Sequence, residues 1–463
     1  MEMKMKSTTS DLFQLIQKYN VPGPRYTSYP TAVQFSETFD SREIEERIAR
    51  SRSSGKPLSL YVHIPFCFSL CWYCGCTKII TRDRSRGDVY LDYLEKEAVL
   101  IRQSLEKAPD VKQIHFGGGT PTFLSPEQLR RLGDLIHKNF NVHPDVEFSV
   151  EIDPRRCTEE HIVALSEIGV NRASLGVQDT NANVQEAIHR IQPFEQTEKV
   201  TDLLRTHGIS DINFDLIYGL PRQSVDTFRQ TIVDVTALEP NRLAIYSYAH
   251  MPGIMPAQKL LNEAEFPSSE NKLKMLMTAI ALLPDYGFRY IGMDHFARED
   301  DELSRALDEG TLHRNFQGYS THAELDMVAL GMSGISMGEM LYVQNKKDIG
   351  GYYEALDDGR LPIQKVLELS DEDRLRRSAI MGIMCRGEIR YDEFLTQTGI
   401  NFESEFSREI ENLDSLESDG LLVKNRSGFK VTDTGRLFLR NIAKVFDGYR
   451  EKSPGQLVYS KTI

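Results

Sequence analysis

Four of the six cysteines stand within ten residues of the chain. Cys67, Cys71 and Cys74 follow a CxxxCxxC spacing, and Cys76 comes two residues later. Thiolates bind zinc and iron–sulfur clusters. Structural zinc sites usually use two pairs of Cys or His ligands that lie some distance apart in the sequence, and this sequence has no second pair. Three neighbouring thiolates favour a [4Fe–4S] cube with one iron left open to chelate and reduce a small molecule. Zinc and a thiol redox motif stay open as alternatives.

The other cysteines say less about chemistry. Cys76 lies close enough to be a ligand, but the CxxxCxxC triplet is the better set, whereas Cys157 and Cys385 stand alone and suit small buried positions. A secreted disulfide framework would spread its cysteines, and the first twenty residues contain no apolar signal segment. No run of about 18 apolar residues occurs. The sequence therefore predicts a cytoplasmic protein without a membrane span.

Further polar and glycine residues lie where predicted strands end. Glycines 117–119 in HFGGGTPT would let the backbone approach a ligand closely. Glu151 and Asp153 end an apolar run, where carboxylates can accept hydrogen bonds from ribose hydroxyls. Asp215 lies inside an apolar run and needs a cationic or hydroxyl partner, because burying an unpaired charge is costly. We expect these residues at one edge of a sheet.

Tyr61 and His63 precede the cysteines on a predicted strand. Because successive side chains alternate between the two faces of a strand, residues two apart point the same way. Either residue would also suit an ordinary core position. Their place beside the cysteine loop favours contact with a cofactor or substrate.

Alternating strands and helices must position these residues. The predicted strands cover residues 58–64, 111–117, 146–152, 172–178, 211–219 and 242–248. The helices between them are predicted over Tyr90–Leu105, Pro126–Lys138, Glu159–Glu167, Ala182–His189, Phe194–His207 and Val225–Ala237. Such alternation is typical of a parallel sheet of βα units, whose strand carboxyl ends share one rim. The expected fold is α/β, a partial (βα)6 TIM-like barrel.

Regions of different character flank this array. Prolines between Pro22 and Phe35 predict an extended arm, and a helix is expected over Ser41–Arg52. After Pro252 we expect a helix over Glu270–Leu283, a strand at 289–293 and loops to about Met340. Helices near 372–384, 391–396, 404–419 and 434–446, with a hairpin at 420–431, predict a mainly helical, winged-helix-like carboxyl-terminal domain. The predicted domains are 1–57, 58–340 and 341–463.

The charge balance argues against nucleic acid as a partner. Lys and Arg total 55 and Asp and Glu total 68 over 463 residues, a formal net charge of −13. Binding to phosphates needs clustered cations and an overall basic field. The winged-helix-like module is therefore expected to serve packing rather than DNA binding.

Several segments carry a family resemblance. CxxxCxxC after the first strand of a βα array is the signature of the radical S-adenosylmethionine enzymes. Within them the chain resembles the oxygen-independent coproporphyrinogen III oxidases, also called coproporphyrinogen dehydrogenases, from about residue 18 to the carboxyl terminus. The matching segments are PRYTSYPT (24–31), YVHIPFC with CxxxCxxCGC (61–76), HFGGGTPT (115–122), NFDLIYGLP (213–221), IGMDHFAR (291–298) and HRNFQGY (313–319). A related haem-trafficking protein typically lacks the fourth cysteine, the arm and HRNFQGY.

The resemblance implies a reaction and its partners. The family converts two propionates of coproporphyrinogen III to vinyl groups, giving protoporphyrinogen IX for haem biosynthesis. It uses a [4Fe–4S] cluster and two S-adenosylmethionines, through a 5′-deoxyadenosyl radical. A low-potential donor such as flavodoxin or ferredoxin, a monomer, and no membrane or nucleic-acid partner are expected. A tetrapyrrole methyltransferase of the same superfamily and a haem-trafficking protein are the alternatives.

The resemblance also implies roles for individual residues. The cluster ligands are Cys67, Cys71 and Cys74, and the residues matched to the S-adenosylmethionine on the cluster are Tyr61, Gly118, Glu151, Ala249 and Ile335. Those matched to the second S-adenosylmethionine are Tyr73, Gly119, Thr120, Gln178, Arg190 and Asp215. The expected catalytic set is Tyr61, His63, Glu151, Phe316 and Gln317.

An acidic protein that binds a tetra-anionic substrate must concentrate positive charge locally. Arg25, Arg298 and Arg314 are the candidates for binding the propionates. Replacing each by alanine is expected to weaken substrate binding. Unchanged affinity in all three variants would remove this hypothesis.

Overall fold

A computed structural model describes residues 9–37, 43, 44, 46–48, 55–105, 109–323, 325–452 and 459. The chain divides into two compact units, a larger one of residues 35–279 and 324–368 and a smaller one of residues 1–34, 280–323 and 369–463. The sequence boundaries at 57/58 and 340/341 divide the chain differently and stay a prediction. Among the helices described, none is long and apolar enough to cross a bilayer.

Ten strands of the larger unit lie side by side. Six of them are β1 (Leu58–Ile64), β2 (Asp110–Gly118), β3 (Asn141–Ile152), β4 (Arg172–Gln178), β5 (Asp211–Tyr218) and β6 (Arg242–Ser247). The next four strands along the chain belong to the smaller unit. The other four strands of the larger unit are therefore numbered β11 (Asp326–Leu330), β12 (Ile335–Met337), β13 (Leu341–Asn345) and β14 (Ile363–Glu368). Their order is β14-β13-β12-β11-β1-β2-β3-β4-β5-β6. From β11 to β6 all pairings are parallel, so the carboxyl ends of β1 to β6 share one edge.

Helices connect the parallel strands as predicted. They are α2 (Ser85–Gln103), α3 (Pro126–Asn139), α4 (Glu159–Glu167), α5 (Ala182–Ala187), α6 (Phe194–Thr206) and α7 (Val225–Ala237), and α8 (Ser269–Leu282) follows β6. The start of α3 illustrates why they begin where they do. The Ser125 hydroxyl oxygen accepts from the Gln128 backbone N–H, Gln128 Oε1 accepts from the Ser125 backbone N–H, and Pro126 occupies the first turn. The apolar residues of β1, including Leu60, Val62 and Ile64, are fully buried. The α/β class and the (βα)6 array are confirmed.

The prediction of loops from the strand near residue 290 to Met340 is wrong. Strand β11 pairs in parallel with β1, and β12, β13 and β14 continue the sheet in antiparallel fashion. These strands are short, and Gly331, Gly334 and Gly338 interrupt them, so no period-two pattern emerges from the sequence. Helix α10 (Ile349–Asp357) lies between β13 and β14.

The smaller unit holds two hairpins and the carboxyl-terminal module. Strands β7 (Phe288–Gly292) and β8 (His295–Arg298) form one antiparallel pair, α9 (Glu302–Glu309) follows, and β9 (His313–Asn315) pairs with β10 (Gly318–Ser320). The module contains α11 (Asp371–Met381), a π-helical turn at Gly382–Arg386, α12 (Tyr391–Thr398), α13 (Phe402–Glu405), α14 (Ser407–Asn412), α15 (Asp414–Ser418), α16 (Leu439–Ala443) and α17 (Tyr449–Lys452). Strands β15 (Glu388–Arg390), β16 (Leu422–Asn425) and β17 (Gly428–Val431) form its three-stranded sheet.

This module is helical with a small sheet, as predicted for a winged-helix-like domain. The single helix predicted over 404–419 is instead broken into three, and β15 was missed. Phe402, Phe406 and Phe446 pack their rings together in its core.

The amino-terminal segment combines one helix with an extended stretch. Helix α1 (Thr9–Tyr19) precedes residues 20–31, which have no helix, and Ala32–Gln34 form one 3₁₀ turn. The peptide bond between Tyr29 and Pro30 is cis. Of the helix predicted over Ser41–Arg52, residues 43, 44 and 46–48 are helical, and the others lie outside the described residues.

Candidate active site

The cysteine loop leaves β1 and is fastened at both ends. Phe66 and Cys67 pair in parallel with Ile79 and Ile80. The Thr81 backbone donates to the Cys67 carbonyl at 3.0 Å, and that of Thr120 donates to the Phe66 carbonyl at 2.9 Å. Cys67, Cys71 and Cys74 therefore lie on a loop held directly beside the ends of β1 and β2.

The middle of the loop is held by the segment that follows α5. Trp72 donates its backbone N–H to the Ile188 carbonyl at 3.0 Å, and its ring stacks on His189 with centroids 5.1 Å apart. The Leu70 carbonyl accepts from His189 Nδ1 at 2.8 Å. Gln258 donates to the Tyr73 carbonyl at 3.1 Å, which holds the loop from a further side.

Two arginines point at the buried sulfur of Cys71. Arg155 Nη2 lies 3.5 Å and Arg190 Nη1 lies 3.7 Å from Cys71 Sγ. Asp153 bridges both guanidiniums, with its closest contact at 2.6 Å to Arg155 and others at 3.4 and 3.5 Å to Arg190. Burial would raise the pKa of Asp153, but Arg190 and Arg155 lower it to about 2. The site thus has a net positive charge beside one thiol.

The neighbouring thiols have different proton affinities. The hydrogen bond with Cys76 and the charge of Lys78 lower the pKa of Cys74 to about 6, although burial alone would raise it. Burial and the neighbouring Cys74 and Cys71 raise the pKa of Cys67 to about 12. Cys76 donates its backbone N–H to Cys74 Sγ at 3.4 Å, and Lys78 donates to the carbonyls of both. Cys74 therefore ionises more readily than Cys67.

Tyr61 and His63 point the same way from β1, as predicted. The Tyr61 hydroxyl lies 3.0 Å from His63 Nδ1, and His63 Nε2 lies 3.0 Å from the Thr77 carbonyl. Since a carbonyl only accepts, Nε2 carries the hydrogen and Nδ1 accepts from the phenol. Burial lowers the pKa of His63, which favours this neutral ring.

A second histidine joins this row to Glu151. The His115 ring stacks on Tyr61 with centroids 5.9 Å apart. Its Nδ1 lies 2.7 Å from Ser149 Oγ, and its Nε2 lies 3.3 Å from Glu151 Oε1. The other oxygen of Glu151 accepts from the Gly118 backbone at 3.2 Å. Strands β1, β2 and β3 thus bring Tyr61, His63, His115 and Glu151 together at their carboxyl ends.

The glycines after β2 allow the chain to pass close to the cysteine loop. Gly118 has φ +115°, and a Cβ there would lie 2.8 Å from the His63 ring and 2.9 Å from the Ile64 carbonyl oxygen. A Cβ on Gly119 would lie 2.7 Å from the Phe66 carbonyl oxygen. The close contact that these glycines allow is therefore between two segments of the protein itself, and an approach to a ligand stays a prediction.

We expect Gly118→Ala to destabilise the apoprotein more than Gly208→Ala. Gly208 has φ +86° and open space around its Cβ position, so alanine there brings only the backbone penalty of about 1–2 kcal/mol. Alanine at Gly118 adds a collision with His63 and Ile64, worth about 1–3 kcal/mol more. Urea unfolding of both variants measures the difference, and equal losses would contradict it.

The remaining predicted cofactor residues of the larger unit lie along the same edge or beside it. Asp215 accepts from Ser174 Oγ at 2.9 Å and from Asn213 Nδ2 at 3.0 Å, so the expected hydroxyl partner is present. Burial, together with the charge of Glu151, raises the pKa of Asp215 to about 6 against these hydrogen bonds. Gln178 ends β4 with φ +69°. The others are Thr120 after β2, Ala249 after β6, Tyr73 on the loop and Ile335 at the start of β12.

Phe316 and Gln317 lie in the smaller unit, between β9 and β10. The Gln317 backbone donates to Asn315 Oδ1 at 2.9 Å. Of the three candidate arginines, Arg25 pairs with Asp294 at 3.0 Å, Arg298 lies over the Phe288 ring, and Arg314 is buried. Phe316, Gln317 and the three arginines all lie in the smaller unit, as do the partners named here.

Sequence reasoning missed three residues of this site. Two of them lie in segments that could have pointed to them: Arg155 in DPRRC directly after β3, and His115 in HFGGGTPT. Lys78 follows Cys76 by two residues without any pattern. Asp153, expected to face ribose, instead binds two guanidiniums.

Two family profiles match the chain. The radical SAM superfamily profile matches residues 61–235, and the HemN C-terminal domain profile matches residues 369–438. The first range spans β1 to α7 with the cysteine loop, and the second lies in the carboxyl-terminal module.

Curated proteins match nearly the whole chain. A Pseudomonas aeruginosa protein named oxygen-independent coproporphyrinogen III oxidase is 45% identical over 94% of this chain and 95% of its own. The Escherichia coli protein of the same name is 42% identical over 97% and 98%. A solved structure described as coproporphyrinogen III oxidase (HemN) from Escherichia coli, a radical SAM enzyme, superposes with a TM-score of 0.90 at 41% identity, covering 94% of this chain and 98% of that one.

Proposed function

The chain belongs to the oxygen-independent coproporphyrinogen III oxidases of the radical SAM superfamily, and from this we propose that it decarboxylates two propionates of coproporphyrinogen III. Each propionate gives up one hydrogen atom, one electron and carbon dioxide to leave a vinyl group. The product is protoporphyrinogen IX of haem biosynthesis, and the chain is an oxidoreductase. The observation that carries this proposal is the cysteine triplet beside the strand ends of a chain that matches the family over almost its full length.

The donor set suits a [4Fe–4S] cluster. Among the described residues, no three His, Cys, Asp or Glu side chains gather around a single metal ion. A cube takes one thiolate on each of its irons, so three separate sulfurs on one loop fit three corners. The pKa of Cys74, lowered to about 6, makes this thiol available as a thiolate near neutral pH, and two guanidiniums lie beside the sulfur of Cys71.

A [4Fe–4S] cluster held by Cys67, Cys71 and Cys74 would, with S-adenosylmethionine, supply the radical chemistry that removes a hydrogen atom from the β-carbon of a propionate. Two S-adenosylmethionines are used per substrate. The protein residues hold and shield this chemistry. Asp153 keeps Arg155 and Arg190 fixed beside Cys71, and the Trp72–His189 stack keeps the loop from opening.

The residues proposed to contact S-adenosylmethionine divide into two sets. Tyr61, Gly118, Glu151, Ala249 and Ile335 are assigned to the molecule on the cluster, and Tyr73, Gly119, Thr120, Gln178, Arg190 and Asp215 to the second. The row Tyr61, His63, His115 and Glu151 supports the first set, because it joins three strand ends through hydrogen bonds and ring stacking. Phe316 and Gln317 are proposed to act on the substrate.

We expect binding of the second S-adenosylmethionine to weaken as pH falls through 6. The raised pKa of Asp215 means that it is ionised above about pH 6 and neutral below, and a carboxylate attracts the cationic ligand. From pH 7.5 to 5.5 the ionised fraction falls about fourfold, and the affinity should fall by about the same factor. Anaerobic equilibrium dialysis at a series of pH values measures this.

Asp215→Asn is the control for this prediction. The amide cannot ionise, so its affinity should be low and independent of pH between 5.5 and 7.5. A slope that persists unchanged in this variant would assign the pH dependence to another group.

An anaerobic turnover assay tests the proposed function. The purified chain is incubated with coproporphyrinogen III, dithionite and S-adenosylmethionine, and vinyl product and carbon dioxide are expected. A methylated tetrapyrrole would instead support a methyltransferase, and stable haem binding without turnover would support a haem-trafficking protein. Flavodoxin or ferredoxin as donor, a cytoplasmic location and a monomer remain predictions.

A further inference from the structure

Arg314 is a buried arginine with unused hydrogen-bond donors. Only 5% of it is exposed, and its Nε and Nη1 have no hydrogen-bond partner among the residues that the structure describes. Its guanidinium lies over the Tyr319 ring, 4.6 Å from the centroid, which is a weak substitute for a carboxylate. Burying a charged group without a hydrogen-bonded partner is unfavourable, so the position suggests a ligand that supplies the missing acceptor.

Two acidic side chains of this part of the smaller unit are paired with other arginines. Asp294 accepts from Arg25 at 3.0 Å. Asp308 accepts two hydrogen bonds from Arg289, both at 2.7 Å. Among the described residues, therefore, no carboxylate is paired with Arg314, in contrast to Arg25 and Arg289.

Other donors close to the hairpin also lack acceptors. Gln317 Nε2 and Arg386 Nε are buried, and neither has a hydrogen-bond partner within the described part of the chain. Burial raises the pKa of Cys385 to about 12, and the charges of Arg314 and Arg386 oppose that rise, so both guanidiniums act on the same buried thiol. The hairpin thus combines positive charge with unused N–H groups, which is the chemistry that binds a carboxylate.

The hairpin presents Arg314 from a fixed position. Arg314 pairs with Tyr319 across β9 and β10, and the Tyr319 hydroxyl donates to the Met384 carbonyl at 2.8 Å. The His295 ring meets Tyr319 edge-on with centroids 5.3 Å apart. A Cβ on Gly318 would lie 3.2 Å from His295 Nε2, so the turn packs closely on β8.

We infer that Arg314, with the side-chain amide of Gln317, binds one propionate carboxylate of the substrate. The inference rests on the proposed function, which supplies a substrate with four propionates. It separates the three candidate arginines, because Arg25 is neutralised by Asp294 and Arg298 donates to the Tyr286 carbonyl at 3.5 Å. Arg314, in contrast, is buried, and its Nε and Nη1 have no acceptor among the described residues. Arg314 is a binding residue that positions the substrate.

The binding test uses coproporphyrin III, the air-stable oxidised macrocycle, and the full chain loaded with its cluster. Fluorescence titration should give a dissociation constant at least tenfold higher for Arg314→Gln than for the wild type, with Arg314→Lys between them. Arg289→Gln, an arginine of the same unit with its own carboxylate, should match the wild type. Coproporphyrin tetramethyl ester, which lacks the carboxylates, should bind the wild type and Arg314→Gln equally.

A second arm distinguishes the source of the carboxylate. S-adenosylmethionine also carries one, so its affinity is measured by equilibrium dialysis in the same variants. Unchanged S-adenosylmethionine affinity in Arg314→Gln supports the propionate assignment. A loss confined to S-adenosylmethionine overturns it.

Thermal unfolding separates a binding role from a structural one. Since Nε and Nη1 of the guanidinium have no hydrogen-bond acceptor among the described residues, Arg314→Gln should melt no lower than the wild type in the absence of porphyrin. It should also lose the stabilisation that coproporphyrin gives the wild type. A lower melting temperature without ligand, or an unchanged dissociation constant, overturns the inference. Failure of the wild type itself to convert coproporphyrinogen III would overturn the proposed function instead.

Discussion

Replacing Cys71 by serine is expected to abolish the cluster and the reaction. Cys71 is buried, and two guanidiniums point at its sulfur, so a serine hydroxyl there would neither bind iron as a thiolate does nor balance their charge. Iron and sulfide should fall from about four of each per chain to near zero. Product formation should fall by at least about 1,000-fold, equivalent to about 4 kcal/mol in the activation barrier.

Cys76→Ser and Cys385→Ala are the controls for this experiment. Cys76 stays outside the predicted ligand triplet, and Cys385 is buried in the smaller unit. Both variants should keep about four irons per chain. The wild type and the three variants are compared by iron analysis and by the visible absorbance of the cluster, both measured without air. Loss of the cluster from Cys76→Ser but not from Cys71→Ser would show that the ligand set is wrong.

Asp153→Asn is expected to cause the largest loss of stability among the charged residues of the site. Asp153 holds Arg155 and Arg190 together, and these three side chains are only 14%, 14% and 7% exposed. Asparagine leaves two buried guanidiniums without a counterion, which costs about 3–5 kcal/mol. The apoprotein should therefore unfold at a lower urea concentration, and reconstituted cluster should be lost faster.

The matched comparison is Asp357→Asn. Asp357 also accepts from a cation, Lys96 at 2.6 Å, but both side chains are about half exposed. An exposed ion pair contributes only about 0–1 kcal/mol, so this variant should unfold almost as the wild type does. Similar losses in the two variants would contradict the assignment of a buried bridging role to Asp153.

The parallel array was predictable because its elements carry strong local signals. Strand 172–178 and the helices over 159–167 and 225–237 agree with the structure residue for residue, since Thr158 and Ser224 precede the helices as capping residues. Strands β11 to β14 have only three to six residues, and the pairing that attaches them to the array joins β11 to β1, which lies far away in the sequence. Local patterns carry no information about such pairing.

The candidate site was predictable in its residue types but not in its contacts. The pairing of Tyr61 with His63 follows from the period of a strand, and the strand ends explain why Glu151 and Asp215 approach each other. The bridge from Asp153 to Arg190 depends on a side chain that follows α5, 37 residues later. The contrast between Arg25, with its carboxylate, and Arg314, without one, emerges only from the tertiary structure.

The short ladder between residues 66–67 and 79–80 has a consequence for assembly. It closes residues 68–78 into a loop whose ends are joined by backbone hydrogen bonds of the polypeptide itself. Closing the loop costs conformational entropy. Hydrogen bonds of the polypeptide offset this cost during folding, so that the bonds between cysteine and iron do not have to. We therefore expect the cluster to be inserted into a cysteine loop that is already folded. A chelator that removes the iron should leave the far-ultraviolet circular dichroism of the chain almost unchanged.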